Sequence, residues 1–177
     1  MMECFSSITL LGEGFPVTER YSLQRNTTEG FAKRVRKNLE FIIRKCREGE
    51  DVHEVTEITT SLLGLIIFPW EERALGIMEN WSLADLEEKG WPRWTILQDR
   101  DGETTTLGKL TYHLRNAASH RRLRFSSDGP DPKEVEIQFE DAYPGKAVDV
   151  DWVAKIRASD LKDFCERFSK SIEDLVG

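Results

Sequence analysis

The chain has 177 residues with 39% apolar and 32% charged side chains, and its formal net charge at pH 7 is −7. This length suits a single domain, residues 1–177, and the acidic balance excludes a protein that coats nucleic acid through a diffuse basic surface. The sequence shows neither a leader pattern nor an apolar run of membrane-spanning length, so we expect no contact with a membrane.

Cysteine usage and short motifs narrow the class of protein further. Cys4, Cys46 and Cys165 are an odd, widely spaced set without a CxxC pair, which is typical of reduced thiols in a cytoplasmic protein. The sequence contains no HExxH, no P-loop and no GxGxxG, and its histidines and carboxylates do not cluster at metal-ligand spacing. We therefore expect neither a metal nor a cofactor.

The hydrophobic pattern predicts a mainly α-helical chain. Residues 1–26 show no usable pattern and are treated as an N-terminal extension, whereas residues 27–176 carry apolar residues at helical spacing. Asn26 and Asp51 each precede a glutamate at capping-box spacing, and Ser159 precedes the last apolar stripe, so these residues mark three helix starts. The predicted helices are 27–48, 51–68, 82–89, 107–120 and 159–175.

The pattern changes its period after residue 120. Arginines alternate with apolar residues at 122–125, and glutamates alternate with apolar residues at 134–140, across a segment rich in turn residues. This predicts a β-hairpin whose glutamates neutralise Arg122 and Arg124. The expected fold is an antiparallel helical bundle of four long helices plus short ones, with the hairpin before the last helix.

The segment 104–127 is chemically distinctive because it holds no Asp or Glu, although acids outnumber bases in the whole sequence. At about 100° per residue, the leucines of the helix 107–120 share one apolar stripe, and Arg115, Asn116 and His120 lie on the other side. A local cationic patch in an acidic protein indicates an anionic ligand. A solvated polar face, as on most surface helices, is the alternative interpretation.

The run Arg115-Asn116-Ala-Ala-Ser-His120 resembles the signature of the HEPN superfamily (higher eukaryote and prokaryote nucleotide-binding domains). The motif of that family is an Arg, four to six residues and a His, commonly with a polar residue directly after the Arg. The stretch Thr56–Pro69 is similar to the second helix of a prokaryotic HEPN subgroup, and the C-terminal helix also fits. The resemblance covers roughly residues 28 to 176.

The resemblance implies a metal-independent endoribonuclease with Arg115, Asn116 and His120 as catalytic residues. RNA carries its own nucleophile, the 2′-hydroxyl, so the protein needs only to move protons and to stabilise charge. His120 is of the residue type that titrates near neutral pH, and the planar fork of Arg115 fits phosphate oxygens. The expected products carry 2′,3′-cyclic phosphate and 5′-hydroxyl ends, as for a toxin or a defence ribonuclease.

Neighbouring polar side chains and a second copy of the chain complete the expected site. Acid and base roles are easier with two histidines, but His113 lies about 10 Å along the helix from His120. A two-fold homodimer would bring a second motif across the axis. HEPN proteins resemble this scheme, because they dimerise with both motifs in one cleft. The residues predicted to bind RNA are Lys109, Tyr112, Ser119, Arg121 and Arg122.

Two alternatives remain open, one for the function of the motif and one for a tryptophan-rich stretch. Some HEPN domains bind RNA, nucleotides or partner proteins without cleaving anything, and the motif then serves binding. For either function, an antitoxin or the product of a neighbouring gene is a candidate partner besides RNA and a second copy of the chain. In toxins that a cognate nucleotidyltransferase modifies, a Tyr stands two residues after the motif His. This chain has Arg122 at that position, which argues against this regulation.

A tryptophan-rich stretch, residues 70–94, either stacks bases or packs a long connection onto the bundle, and we favour packing.

Overall fold

The computed structural model of the chain describes residues 17–71, 76–142 and 149–176. Of the predicted N-terminal extension, residues 1–16 lie outside these ranges. In chain order the elements are α1 (Val17–Arg47), α2 (Glu54–Glu71), a 3-10 turn (Met78–Asn80), α3 (Leu83–Glu88), β1 (Thr95–Asp99), α4 (Leu107–Ser119), β2 (Leu123–Phe125), β3 (Glu136–Asp141), β4 (Trp152–Arg157) and α5 (Ala158–Val176).

Three long helices form one side of the molecule. α1 packs against both α2 and α5, and these helices bury Leu39, Ile58 and Phe168 between them. Gly64 lets α1 and α2 approach closely, because a Cβ atom at this position would lie 3.2 Å from the ring of Phe31. None of the helices in the described ranges combines the length and the apolar composition that crossing a membrane requires.

The start of α1 differs from the sequence prediction. The capping-box pattern at Asn26 placed the helix start near residue 27, but the helix begins at Val17. Glu29, which would complete the capping box, forms an ion pair with Lys33 one turn further along the helix. A capping pattern therefore does not interrupt a helix when the residues before it keep their helical hydrogen bonds.

The fold is not the helical bundle with one hairpin that the sequence predicts. The protein contains a four-stranded antiparallel sheet with the strand order β1-β4-β3-β2. The predicted hairpin corresponds to β2 and β3, with Phe125 opposite Ile137 and Leu123 opposite Phe139. The sheet extends further because β4 pairs with β3, and β1 pairs with β4 from a distant part of the chain.

The sequence prediction lacks strands β1 and β4 because both are short and their patterns are weak or hidden. β1 has five residues, its register shifts between Ile96 and Gln98, and both Thr95 and Leu97 are exposed, so its apolar alternation is weak. β4 buries Trp152, Ala154 and Ile156, but it continues directly into α5 and hides the change of period. Two such segments show their strand character only when they pair.

The sheet brings three strand ends together beneath α4. Trp152 at the start of β4 lies opposite Asp141 at the end of β3 and opposite Asp99 at the end of β1. α4 packs against β3, and its apolar residues face the core side of the sheet. The polar side of α4 therefore lies over one end of these strands, where an acidic and an aromatic side chain are close to it.

Candidate functional site

α4 is held in place at its first turn. The side chain of Thr106 caps the helix by accepting a hydrogen bond from the backbone N–H of Lys109 at 3.3 Å. Gly108 permits close contact with the 3-10 turn, since a Cβ atom here would lie 2.8 Å from the backbone oxygen of Glu79. Behind the helix, Leu110 and Leu114 are fully buried. The direction of the polar face is therefore fixed.

α4 ends in a Schellman motif that contains no glycine. The N–H of Arg122 bonds the carbonyl of Ala117 at 2.8 Å, and the N–H of Arg121 bonds the carbonyl of Ala118 at 3.1 Å. Arg121 has a φ of 57°, in the left-handed region where glycine is usual. His120 is the last residue before this turn. The exposed His120 and Arg121 thus stand at the point where the chain leaves the helix.

One row of polar side chains runs the whole length of α4. The spacing i, i+4, i+7, i+11 places Lys109, His113, Asn116 and His120 on one side of the helix. Arg115 lies on the adjacent row, with its guanidinium carbon 5.9 Å from the ring centroid of Tyr112. Nη2 of Arg115 also donates to Oδ1 of Asn116, 3.5 Å away.

Asp141 connects this row to the sheet. One oxygen of its carboxylate accepts hydrogen bonds from Nδ1 of His113 at 2.8 Å and from Nδ2 of Asn116 at 3.0 Å. The other oxygen accepts the N–H of Ala142 at 2.8 Å. Asp141 is 6% exposed. Burial acts to raise the pKa of its carboxyl, but the hydrogen bonds from His113, Asn116 and Ala142 outweigh burial and lower the pKa.

The imidazole of His113 is fixed in both position and plane. Its ring stacks on the indole of Trp152, with centroids 4.8 Å apart and planes 11° apart. The indole is itself anchored, because Nε1 of Trp152 donates to Oγ1 of Thr104 at 3.0 Å. Since a carboxylate with a lowered pKa only accepts, Nδ1 of His113 carries a proton. Nε2 is the ring nitrogen left for exchange.

A cleft of about 310 Å³ opens beside His113, Asn116, Asp141 and Trp152. Its far wall is acidic, and two cations that line it are paired, Lys109 with Glu103 and Arg100 with Asp151. A phosphate would meet repulsion at this acidic wall. The electrostatically suitable place for an anion is the other end of the polar row, towards Arg115 and His120.

Of the remaining sequence-predicted site residues, Ser119, Arg121 and Arg122 lie at that end of the helix, whereas Tyr112 lines the cleft. Ser119 is exposed, and Tyr112 is exposed with the Arg115 guanidinium beside it. Arg122 is half-buried, and its Nη1 has no hydrogen-bond partner among the described residues. The predicted neutralisation of the hairpin arginines is seen for Arg124, whose Nε lies 2.7 Å from Oε1 of Glu140.

The aromatic stretch forms a second cavity of about 430 Å³ and packs as the sequence analysis favours. Trp94 is 6% exposed and meets Phe164 edge to face with ring centroids 5.4 Å apart. Trp91 meets Phe164 in the same way at 5.5 Å. These rings join the connection between α2 and α4 to α5, and they present no stacked platform for bases. Residues 68–75, which include Trp70, lie outside the described side chains.

Sequence reasoning missed the group formed by His113, Asp141 and Trp152. His113 carried a usable signal, because it precedes Asn116 by one helical turn and falls on the same row. Asp141 and Trp152 carried none, since they lie in strands whose pairing beneath α4 the sequence did not reveal.

Comparison with known proteins agrees with the motif on α4. A family model described as HEPN pEK499 p136 matches residues 18–177. The chain therefore belongs to the HEPN superfamily, as the resemblance of the Arg115–His120 run implies. No curated protein and no solved structure matches it.

Proposed function

We propose that this protein is a metal-independent endoribonuclease. The observation that carries the proposal is the presentation of Arg115, Asn116 and His120 on the polar side of a helix whose other side is fully buried, in a chain that belongs to the HEPN superfamily. The core holds α4, so these side chains need no rearrangement of the fold to meet a phosphodiester. Preorganised groups of this kind are what transition-state stabilisation requires.

His120 acts as the proton acceptor and Arg115 stabilises charge. The 2′-hydroxyl oxygen forms a bond to phosphorus and its proton passes to His120, while the bond from phosphorus to the 5′-oxygen breaks and that oxygen takes up a proton from water or from a general acid. Arg115 binds the non-bridging oxygens as negative charge develops. Asn116 donates to Asp141 and offers its carbonyl oxygen to Arg115, so its role is to orient the guanidinium. The products carry 2′,3′-cyclic phosphate and 5′-hydroxyl ends.

A homodimer is part of the proposal. The chain has a net charge of −7, and two cations of this region, Lys109 and Arg124, form ion pairs with Glu103 and Glu140. A two-fold axis near α4 would double the positive charge around one bound strand without any further basic residue. Light scattering should therefore give about twice the 20.4 kDa mass of the chain at micromolar concentration. A measured mass of one chain would exclude the homodimer, and the proposed cleavage would then be tested separately.

The test of the activity is cleavage of mixed RNA in excess chelator by the wild type, His120→Ala and Arg115→Ala. Both variants should lose cleavage by on the order of 10²-fold or more. The matched controls are His53→Asn and Arg93→Ala. His53 is an exposed histidine before α2, where Asn also caps a helix, and Arg93 has an 82% exposed side chain.

Two outcomes would contradict the proposal. Full activity of both motif variants would move the chemistry elsewhere in the chain. Tight RNA binding by the wild type without any cleavage would indicate the binding module that some HEPN domains represent.

A further inference from the structure

We propose that His113, held by Asp141, is the general acid that protonates the leaving 5′-oxygen, so that one chain supplies both proton-transfer groups. This inference rests on the ribonuclease activity proposed above. In this scheme the homodimer increases the positive charge around the RNA, and it does not need to supply a second histidine.

The two histidines of one chain are too far apart to contact each other, but their spacing suits an in-line displacement in which each serves a different oxygen. His113 and His120 are seven residues apart on one row of α4, which separates their Cα atoms by about 10 Å along the axis. The attacking and leaving oxygens stand on opposite sides of phosphorus, and each imidazole nitrogen lies a further ~3 Å out, so the two nitrogens of an in-line reaction are roughly 9 Å apart. A separation of two turns is therefore compatible with one imidazole at each oxygen, with the phosphate on the Arg115 and His120 side of Asn116 and only the leaving 5′-oxygen reaching His113.

The surroundings of His113 fix the orientation of its ring and leave one nitrogen facing the cleft. Asp141 is anionic and nearly buried, and it accepts the Nδ1 proton at 2.8 Å. Trp152 stacks on the ring at 4.8 Å and prevents it from turning. No hydrogen bond joins Nε2 to another side chain in ranges 28–67, 76–142 and 149–175, and the ring lines the cleft. Nε2 is thus the nitrogen that can give a proton to a substrate.

The reaction balances with these two groups. Nε2 of His113 gives its proton to the 5′-oxygen as the bond from that oxygen to phosphorus breaks, and the leaving group departs as a neutral 5′-hydroxyl. His120 holds the proton that the 2′-hydroxyl has lost. Exchange with water returns both rings to their starting states, and no other reactant is consumed. Asp141 stays ionised throughout and is a positioning residue.

A change of leaving group separates this role from a structural one. A dinucleotide such as UpA needs its 5′-oxygen protonated, whereas uridine 3′-(4-nitrophenyl phosphate) releases a phenolate that is stable without a proton. His113→Asn keeps an N–H near the Nδ1 position for Asp141 and removes Nε2. It should lower cleavage of UpA on the order of 10²- to 10⁴-fold and cleavage of the aryl ester less than tenfold.

Companion variants complete the comparison. His120→Asn should lose cleavage of both substrates, because both need the 2′-hydroxyl deprotonated. Asp141→Asn should show the His113 pattern with a smaller loss, since the ring remains but is less well held. His53→Asn, a histidine change outside the cleft, should leave both rates unchanged. Melting curves of every variant show whether the fold is intact.

Each result decides something. An equal loss of the two substrates in a folded His113→Asn protein, or no loss of either, overturns this inference and leaves the ribonuclease standing. If His113→Asn does not fold, a loss of UpA cleavage in Asp141→Asn without a matching loss of aryl ester cleavage still supports the acid, and an equal loss refutes it. A wild type that cleaves neither substrate removes the proposed function itself, and this inference with it.

Discussion

The two ends of the polar row on α4 differ in how they are held. At the anchored end, His113 and Asn116 are half-buried, share one carboxylate oxygen of Asp141 and rest against the sheet. At the open end, His120 and Arg121 are exposed at the last turn of the helix. The side chains at the anchored end are fixed by the sheet, whereas those at the open end stand free of the sheet on a helix that the core holds in place. The motif residue His120 is thus positioned only through the end of α4, whereas His113, outside the motif, is also held through its side chain.

The largest expected effect comes from the core side of the same helix. Leu114→Ala should lower the free energy of unfolding by about 2–5 kcal/mol, because Leu114 is fully buried and its truncation leaves a cavity. His120→Ala at the open end should change it by about 0.5 kcal/mol or less. Urea unfolding measures both values. Equal losses would mean that His120 is a structural histidine and that the open end is not open.

The anchored end should depend on Asp141 and on pH. Asp141→Ala should cost about 1–3 kcal/mol of stability, since it leaves the donors of His113 and Asn116 unpaired. The pKa of Asp141 is lowered in the folded protein, so the unfolded chain takes up this proton first. The stabilisation is therefore complete above the ordinary aspartate pKa of about 3.9 and is lost as pH falls below it. Acid unfolding in which wild type and Asp141→Ala keep a constant difference through that range would contradict the contact.

A smaller effect is expected at Arg121, where φ is 57°. Arg121→Gly should raise stability by about 1 kcal/mol, because glycine adopts the left-handed region without the Cβ clash. Arg121→Ala is the matched control, since it removes the guanidinium and keeps the Cβ. If this side chain contacts RNA, both variants should weaken binding equally, and only the glycine variant should melt at a higher temperature. Stronger RNA binding by either would exclude the contact.

The smallest effect concerns salt. Few phosphates meet cations at the open end, so the logarithm of RNA affinity should fall with the logarithm of salt concentration on a shallow slope. Titrations of a catalytically inactive His120→Ala protein between low and moderate salt give this slope. A steep slope, typical of a protein that makes many phosphate contacts, would place the binding surface away from α4.

The parts that the sequence predicts well are those where local pattern and tertiary packing agree. α4 and α5 follow from regular apolar spacing, and their observed bounds lie within one residue of the predicted ones. Membership of the HEPN superfamily was predicted from a local pattern too, because Arg115, Asn116 and His120 lie within two helical turns, and the family is confirmed.

Long-range pairing accounts for what the sequence did not predict. β1 and β4 are short strands that become a sheet only by pairing across about 60 residues of chain, as Thr95 with Lys155 shows. The contact of Asp141 with His113 depends on that pairing, since the sheet carries the carboxylate to the helix. No spacing rule connects two residues separated in this way, so the anchored end of the site was visible only in the structure.

The most direct test of the central claim is the chemistry of the cleaved ends. A defined RNA oligonucleotide is incubated with the protein in excess chelator, and the fragments are weighed by mass spectrometry. We expect the wild type to give fragments with 2′,3′-cyclic phosphate and 5′-hydroxyl ends. These fragments should be absent with His120→Ala and present with His53→Asn. Fragments with 5′-phosphate ends, or cyclic ends that persist in His120→Ala, would contradict it.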